Sequence, residues 1–183
     1  YFILTTKKAV FMRILAFRKR LYYIRGEGEY SRKIALSNYE RGVIDEVSVS
    51  WDRADKNIDN IAPIIENNPD VTFYIYMPPY SMLFWDRYMC NGIVDNELAM
   101  QKQIAEAFLK YDNVQFYYFM NDYNVITNLE NYRDAGHYSP QVCSEILQEI
   151  HNGNYRVTKD NYLSVFAEME NFVKTYDYDS MFN

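Results

Sequence analysis

The sequence predicts an α/β fold built on a parallel sheet, and three observations carry that reading. The runs Val71–Met77 (VTFYIYM) and Val114–Met120 (VQFYYFM) are apolar on both faces, as strands covered on both sides must be. The stretch between them holds a Pro78-Pro79 stop, a short helical pattern, an Asn91-Gly92 turn and a longer amphipathic helix. That is the length of a parallel crossover, right-handed by the general rule. After the second run comes a loop and then a helix with clear start signals, the place where open α/β sheets keep their sites.

The chain has 183 residues, enough for one domain with a real core. Hydrophobic residues make up 49% and aromatics 17%, which excludes a disordered chain. The net charge of −6 argues against a general nucleic-acid binder. The charge is uneven: residues 1–25 hold seven basic residues and no acid, so the remainder is strongly acidic. Two cysteines, Cys90 and Cys143, and two histidines, His137 and His151, are too few and too scattered for a disulfide framework or a metal site. No Gly-rich phosphate loop is present, so no cofactor is expected. No apolar run approaches the roughly 18 residues of a membrane span. A chain that opens Tyr-Phe-Ile-Leu reads as a piece of something longer.

Taken in order, Thr5 or Thr6 can cap a basic helix over residues 1–25, running to about Tyr23 with Val10, Ile14, Phe17 and Leu21 on one face. Its charges suit a membrane surface or an acidic polymer, but the solvated side of an ordinary docking helix is the simpler reading. Residues 26–45 read as loop with room for a short helix, and Val47–Trp51 as a weak strand. Asp52 can start a helix with Ile58, Ile61, Ala62 and Ile65 as its stripe. Pro63 inside it predicts a kink or a late start, and Asn67-Asn68-Pro69-Asp70 an end. After Val71–Met77, Ser81 caps a short helix to Tyr88. Asp95 to Lys110 is the crossover helix, with Val94, Leu98, Ala105 and Phe108 on one side. Pro140–His151 is a helix with Val142, Ile146, Leu147 and Ile150 inward, ended by Asn152-Gly153. Residues 156–183 form a helical extension in which Thr158 caps a last helix to Thr175, with Tyr162, Phe166, Met169 and Val173 inward. Two strong strands and one weak one fall short of the roughly five that such a sheet uses. One sheet edge is therefore expected to lie open or to be covered by the N-terminal helix.

The chemistry concentrates in Asp134-Ala-Gly-His-Tyr-Ser-Pro140. Asp134 stands three residues before His137, with Gly136 between them to let the backbone turn. Ser139 and Pro140 then start the next helix. A carboxylate folded back on the imidazole fixes its tautomer and stabilises its protonated form, as a general base requires. His151, at a helix C-terminus, reads as structural. Ser81 follows a strand and can face a pocket with Tyr80 and Trp85, although helix capping and core packing account for these residues as well.

Asp134-x-x-His137 before a late helix, together with the run Asn68-Pro69-Asp70 through Ser81, resembles the C-terminal block of the SGNH (GDSL-like) hydrolase and acyltransferase superfamily. The likeness covers roughly residues 52–152 and points to that superfamily's cell-envelope branch, which includes proteins of alginate O-acetylation and teichoic-acid D-alanylation. The resemblance implies a flavodoxin-like three-layer α/β/α fold, incomplete in this chain, and a Ser–His–Asp triad acting on acyl esters. His137 would be the base and Asp134 its orienter. Tyr80 and Ser81, just after the Val71–Met77 strand, are separate candidates to touch the substrate. The resemblance also implies an acyl-ester or glycan substrate and an extracytoplasmic, envelope location, close to a membrane surface through an N-terminal region expected upstream of these residues. The family's Gly-Asp-Ser block and its oxyanion-hole Gly and Asn are not found in these residues. Three readings follow: an esterase or O-acyltransferase fragment, a non-catalytic envelope binding or scaffolding protein, and an α/β interaction module whose Asp–His pair staples a turn.

Overall fold

A computed structural model of the chain describes residues 9–13 by their backbone and residues 29–44 and 52–183 in full. The four described strands lie in the order β1 (Ala9–Arg13), β2 (Thr72–Met77), β3 (Val114–Tyr118) and β4 (Arg156–Val157). β1, β2 and β3 are parallel neighbours, with Phe73 opposite Val114 and Met77 opposite Tyr118. β4 adds antiparallel to β3. The two strong strands are thus adjacent and parallel, as their doubly apolar patterns predict.

The first strand corrects the expected N-terminal helix. Ala9–Arg13 is extended and pairs with β2 from Ala9↔Thr72 to Arg13↔Tyr76. The apolar stretch 9–17 fits a helical stripe and a buried strand equally on pattern alone. An unpaired edge on β2 settles the matter, because a strand there satisfies a row of backbone groups that a helix would leave bare. The rest of the expected helix, and the weak strand Val47–Trp51, lie outside the described residues.

The helices are α1 (Arg32–Ser37), α2 (Arg53–Glu66), α3 (Met82–Cys90), α4 (Val94–Phe108), α5 (Tyr123–Ile126), α6 (Pro140–Asn152) and α7 (Tyr162–Thr175). α2 begins after Asp52 and runs through Pro63 without a break. Pro63 has no N–H to give to the Asp59 carbonyl, so the helix forgoes that one bond while its backbone stays helical on both sides of the proline. The Asn67 and Asn68 side-chain amides then close the helix on the carbonyls of Pro63 and Ile64, both at 2.7 Å. Between α3 and α4 the chain turns at Gly92, whose φ of 65° is the left-handed region. α7 starts three residues later than Thr158 suggests, because the Asn161 side chain takes the Thr158 N–H at 2.7 Å and shapes a turn first.

Tyr117 and Tyr118 are adjacent on β3 and therefore point to opposite faces. Tyr118 donates to Gln101 of α4 at 2.6 Å, and Tyr117 reaches the Ile150 carbonyl of α6 at 3.3 Å. Helices accordingly lie on both sides of the sheet. The core between sheet and helices includes Phe73, Ile75, Phe116, Ile65, Ala105, Phe108 and Met169, each buried. On α6, Val142, Ile146 and Ile150 are buried as expected, but Leu147 is exposed. Spaced four apart, the first three share a face, whereas Leu147 lies one residue, about 100°, round the helix.

Candidate acid–base site

The site is a hairpin that closes on itself before α6. Tyr132 and Tyr138 form an antiparallel bridge. The Arg133 N–H donates to the His137 carbonyl at 3.0 Å, and the Ser139 N–H to the Asn131 carbonyl at 2.8 Å. Ser139 then caps α6, its hydroxyl accepting from the Val142 N–H, with Pro140 as the first helical residue. The expected start of this helix is the observed one.

Within the hairpin, Asp134 turns inward and serves three donors. Its Oδ1 accepts the Gly136 N–H at 2.9 Å and the His137 N–H at 2.8 Å. Its Oδ2 lies 2.7 Å from His137 Nδ1. A carboxylate only accepts, so Nδ1 carries the hydrogen and Nε2 is the basic nitrogen of the neutral ring. Burial pushes the Asp134 carboxyl up, but the His137 hydrogen bond and charge, with the two backbone N–H groups, outweigh it and hold the group below the ordinary carboxylate range. The His137 side chain is 48% exposed and that of Asp134 30%. Gly136 is not among the described glycines with positive φ, which are Gly42, Gly92 and Gly153. The turn is made by the aspartate side chain, an Asx turn, rather than by glycine's access to left-handed backbone.

The hairpin is docked on the carboxyl end of β2. The Tyr132 hydroxyl donates to the Pro79 carbonyl at 2.8 Å, and the Ser81 N–H and hydroxyl both donate to the Ala135 carbonyl, at 3.1 and 3.0 Å. From the other side, the Ser31 N–H donates to the Tyr132 carbonyl and the Asn38 amide to the Arg133 carbonyl at 2.8 Å. Ser81 stands at the N-cap position of α3 but makes no side-chain cap bond, because its hydroxyl is turned to Ala135. Ser81 and Tyr80 are both buried, Tyr80 against Phe84 with ring centroids 4.9 Å apart. They lie beneath the hairpin rather than at a surface that a substrate reaches. Trp85 is likewise buried in the core. His151, in the last turn of α6, lines a different groove of about 270 Å³ with Tyr74, Tyr117 and Arg156.

Two groups at this end of the sheet escaped the sequence reading. Asp122, one short 3-10 turn (Phe119–Asn121) after β3, caps α5 through the Val125 N–H, and burial raises its carboxyl above the ordinary range despite that bond and one to Tyr155. Its position after a strand and before a helix was the available signal. Tyr155 carries a φ of 58°, left-handed for a non-glycine, and burial and Asp122 raise its hydroxyl to about 12. Among the described residues no three His, Cys, Asp or Glu side chains gather into a metal-binding group. Cys90 and Cys143 are separate, exposed thiols. Among the same residues no helix is long and apolar enough to cross a membrane. Set against known proteins, the chain matches no family model, no curated protein and no solved structure.

Proposed function

We propose that this chain is the base-bearing part of an SGNH-like esterase or O-acyltransferase with a flavodoxin-like three-layer fold, acting on acyl esters of cell-envelope glycans outside the cytoplasm. One observation carries the reading: the 2.7 Å contact from Asp134 to Nδ1 of a half-exposed His137, on a loop at the carboxyl end of a parallel strand. In this role His137 takes a proton at Nε2 from a hydroxyl nucleophile, and Asp134 stabilises the imidazolium that forms. The nucleophile and the oxyanion donors come from outside these 183 residues.

The test compares hydrolysis of an activated acetyl ester by the 183-residue chain, by its His137→Ala variant and by a chain extended upstream. The short chain is expected to give only a slow, His137-dependent rate, about 10²–10⁴-fold above water as general-base catalysis supplies. The extended chain is expected to be much faster. Hydrolysis that is indifferent to His137 in both lengths sinks the proposal.

A second reading, a non-catalytic envelope binding or scaffolding protein, is favoured by the commitment of Ser81. Ser81, bonded to this loop, is fully buried and gives its hydroxyl to a backbone carbonyl. Retained binding of an acylated glycan with no turnover in either chain length selects that reading.

A further inference from the structure

We propose that Ser81 is a positioning residue for the Asp134–His137 pair, acting through a single peptide plane; the inference rests on the acid–base reading of that pair. The peptide joining Ala135 to Gly136 is held at both ends. Its carbonyl accepts both the N–H and the hydroxyl of Ser81, at 3.1 and 3.0 Å. Its N–H donates to Asp134 Oδ1 at 2.9 Å. The carbonyl and N–H of one peptide are rigidly coplanar and point opposite ways. Fixing the carbonyl direction from Ser81 therefore fixes where the N–H can meet the carboxylate. The same carboxylate meets His137 Nδ1 at 2.7 Å, so the path from Ser81 to the imidazole runs through one rigid plane and one side chain.

The choice made by Ser81 supports this role. A serine at the N-cap position ordinarily spends its oxygen on the first-turn N–H groups of its own helix. Here the hydroxyl is given to a carbonyl 54 residues away, in a fully buried position. That carbonyl already has the Ser81 N–H, so the second bond is not needed to satisfy it. What the second bond adds is direction.

The experiment reads His137 directly and involves no ester. Nitrogen-15 NMR of the imidazole reports which ring nitrogen carries the hydrogen, and amide exchange reports the protection of Gly136 and His137. These are compared in the unmodified chain, Ser81→Ala, Ser81→Cys and the core control Ile65→Val. Ser81→Ala is expected to lower protection of the Gly136 amide about fivefold, the loss that one net hydrogen bond corresponds to, and to bring in the Nε2–H tautomer. Ser81→Cys, with a weaker donor of similar size, should fall between, and it keeps the test alive if the alanine variant folds poorly. Ile65→Val should lower the melting temperature without changing the tautomer. Unchanged tautomer and protection in Ser81→Ala, or an equal change in Ile65→Val, overturns the proposal. If these shifts appear but no chain length hydrolyses an ester, the esterase reading fails and the positioning role of Ser81 stands.

Discussion

Asp134 performs a local task and a remote one with the same carboxylate. Locally it makes the turn by accepting two backbone N–H groups; remotely, it sets the imidazole tautomer. Asp134→Asn separates the two. The amide oxygen can still take both N–H groups, but the amide nitrogen donates, so His137 Nδ1 must become the acceptor and Nε2 carries the hydrogen. The expected outcome is an intact hairpin with an inverted tautomer, visible in ring nitrogen shifts, and loss of whatever His137-dependent hydrolysis the chain has. The charge also has a pH signature. Asp134 titrates below its ordinary value, so its contribution is present above the unfolded value near about 3.9 and is lost as pH falls through the folded one. Amide protection at Gly136 and His137 should therefore fall below about pH 4 before α6 unravels. Protection that falls only together with α6 would show that the carboxylate does not hold the turn.

The elements that support the pair are fastened by specific polar contacts, and each gives a measurable expectation. α6 is fixed at its start by the Ser139 cap and at its end by Gly153, whose φ is 77°. Ser139→Ala should cost about 1 kcal/mol, and Gly153→Ala a similar or larger amount, since alanine there adopts left-handed backbone at a penalty. Chemical denaturation measures both. α2 and α4 are joined by Arg53 and Glu97, the latter almost fully buried and also bonded to Gln101, which in turn receives the Tyr118 hydroxyl. Arg53→Met leaves the Glu97 carboxylate buried without its cation, and about 3–5 kcal/mol of destabilisation is expected. Arg53→Met with Glu97→Leu should be far milder. If the double replacement is as damaging as the single one, packing rather than charge pairing is what Arg53 supplies. The helices themselves were legible from caps and stripes: α6 matches its signals at Ser139, Pro140 and Gly153, and α4 its apolar side. Where the reading slipped, as at Leu147 and at the start of α7, the deciding contact came from the tertiary fold or from a side chain such as Asn161 that offers the backbone an alternative turn.

At the scale of the whole molecule, β1 is the terminal strand of the sheet among the described residues. It occupies the β2 edge that would otherwise present unpaired backbone groups. Removing residues 1–13 moves the free edge from β1 to β2, which loses its backbone ladder on that side, and the shortened chain is expected to associate or precipitate at a concentration at which the full chain stays dispersed. Size-exclusion chromatography with light scattering would show it. A truncated chain that stays dispersed as the full chain does would mean that β1 is dispensable as an edge cover.

By itself the sequence determined what depends on neighbours along the chain. Val71–Met77 and Val114–Met120 read as buried parallel strands because apolar residues stand on both of their faces. The Asp134–His137 contact was legible because the two residues stand three apart beside a turn, although the turn expected from Gly136 is made by the Asp134 side chain. Only the tertiary structure decided the state of Ala9–Arg13, where helix and strand patterns coincide and a vacant sheet edge breaks the tie. It also decided the fate of Ser81. Its local signals say helix cap, but a buried hydroxyl takes the best acceptor in space, and the Ala135 carbonyl, 54 residues away in the chain, lies only 3.0 Å from it in the fold.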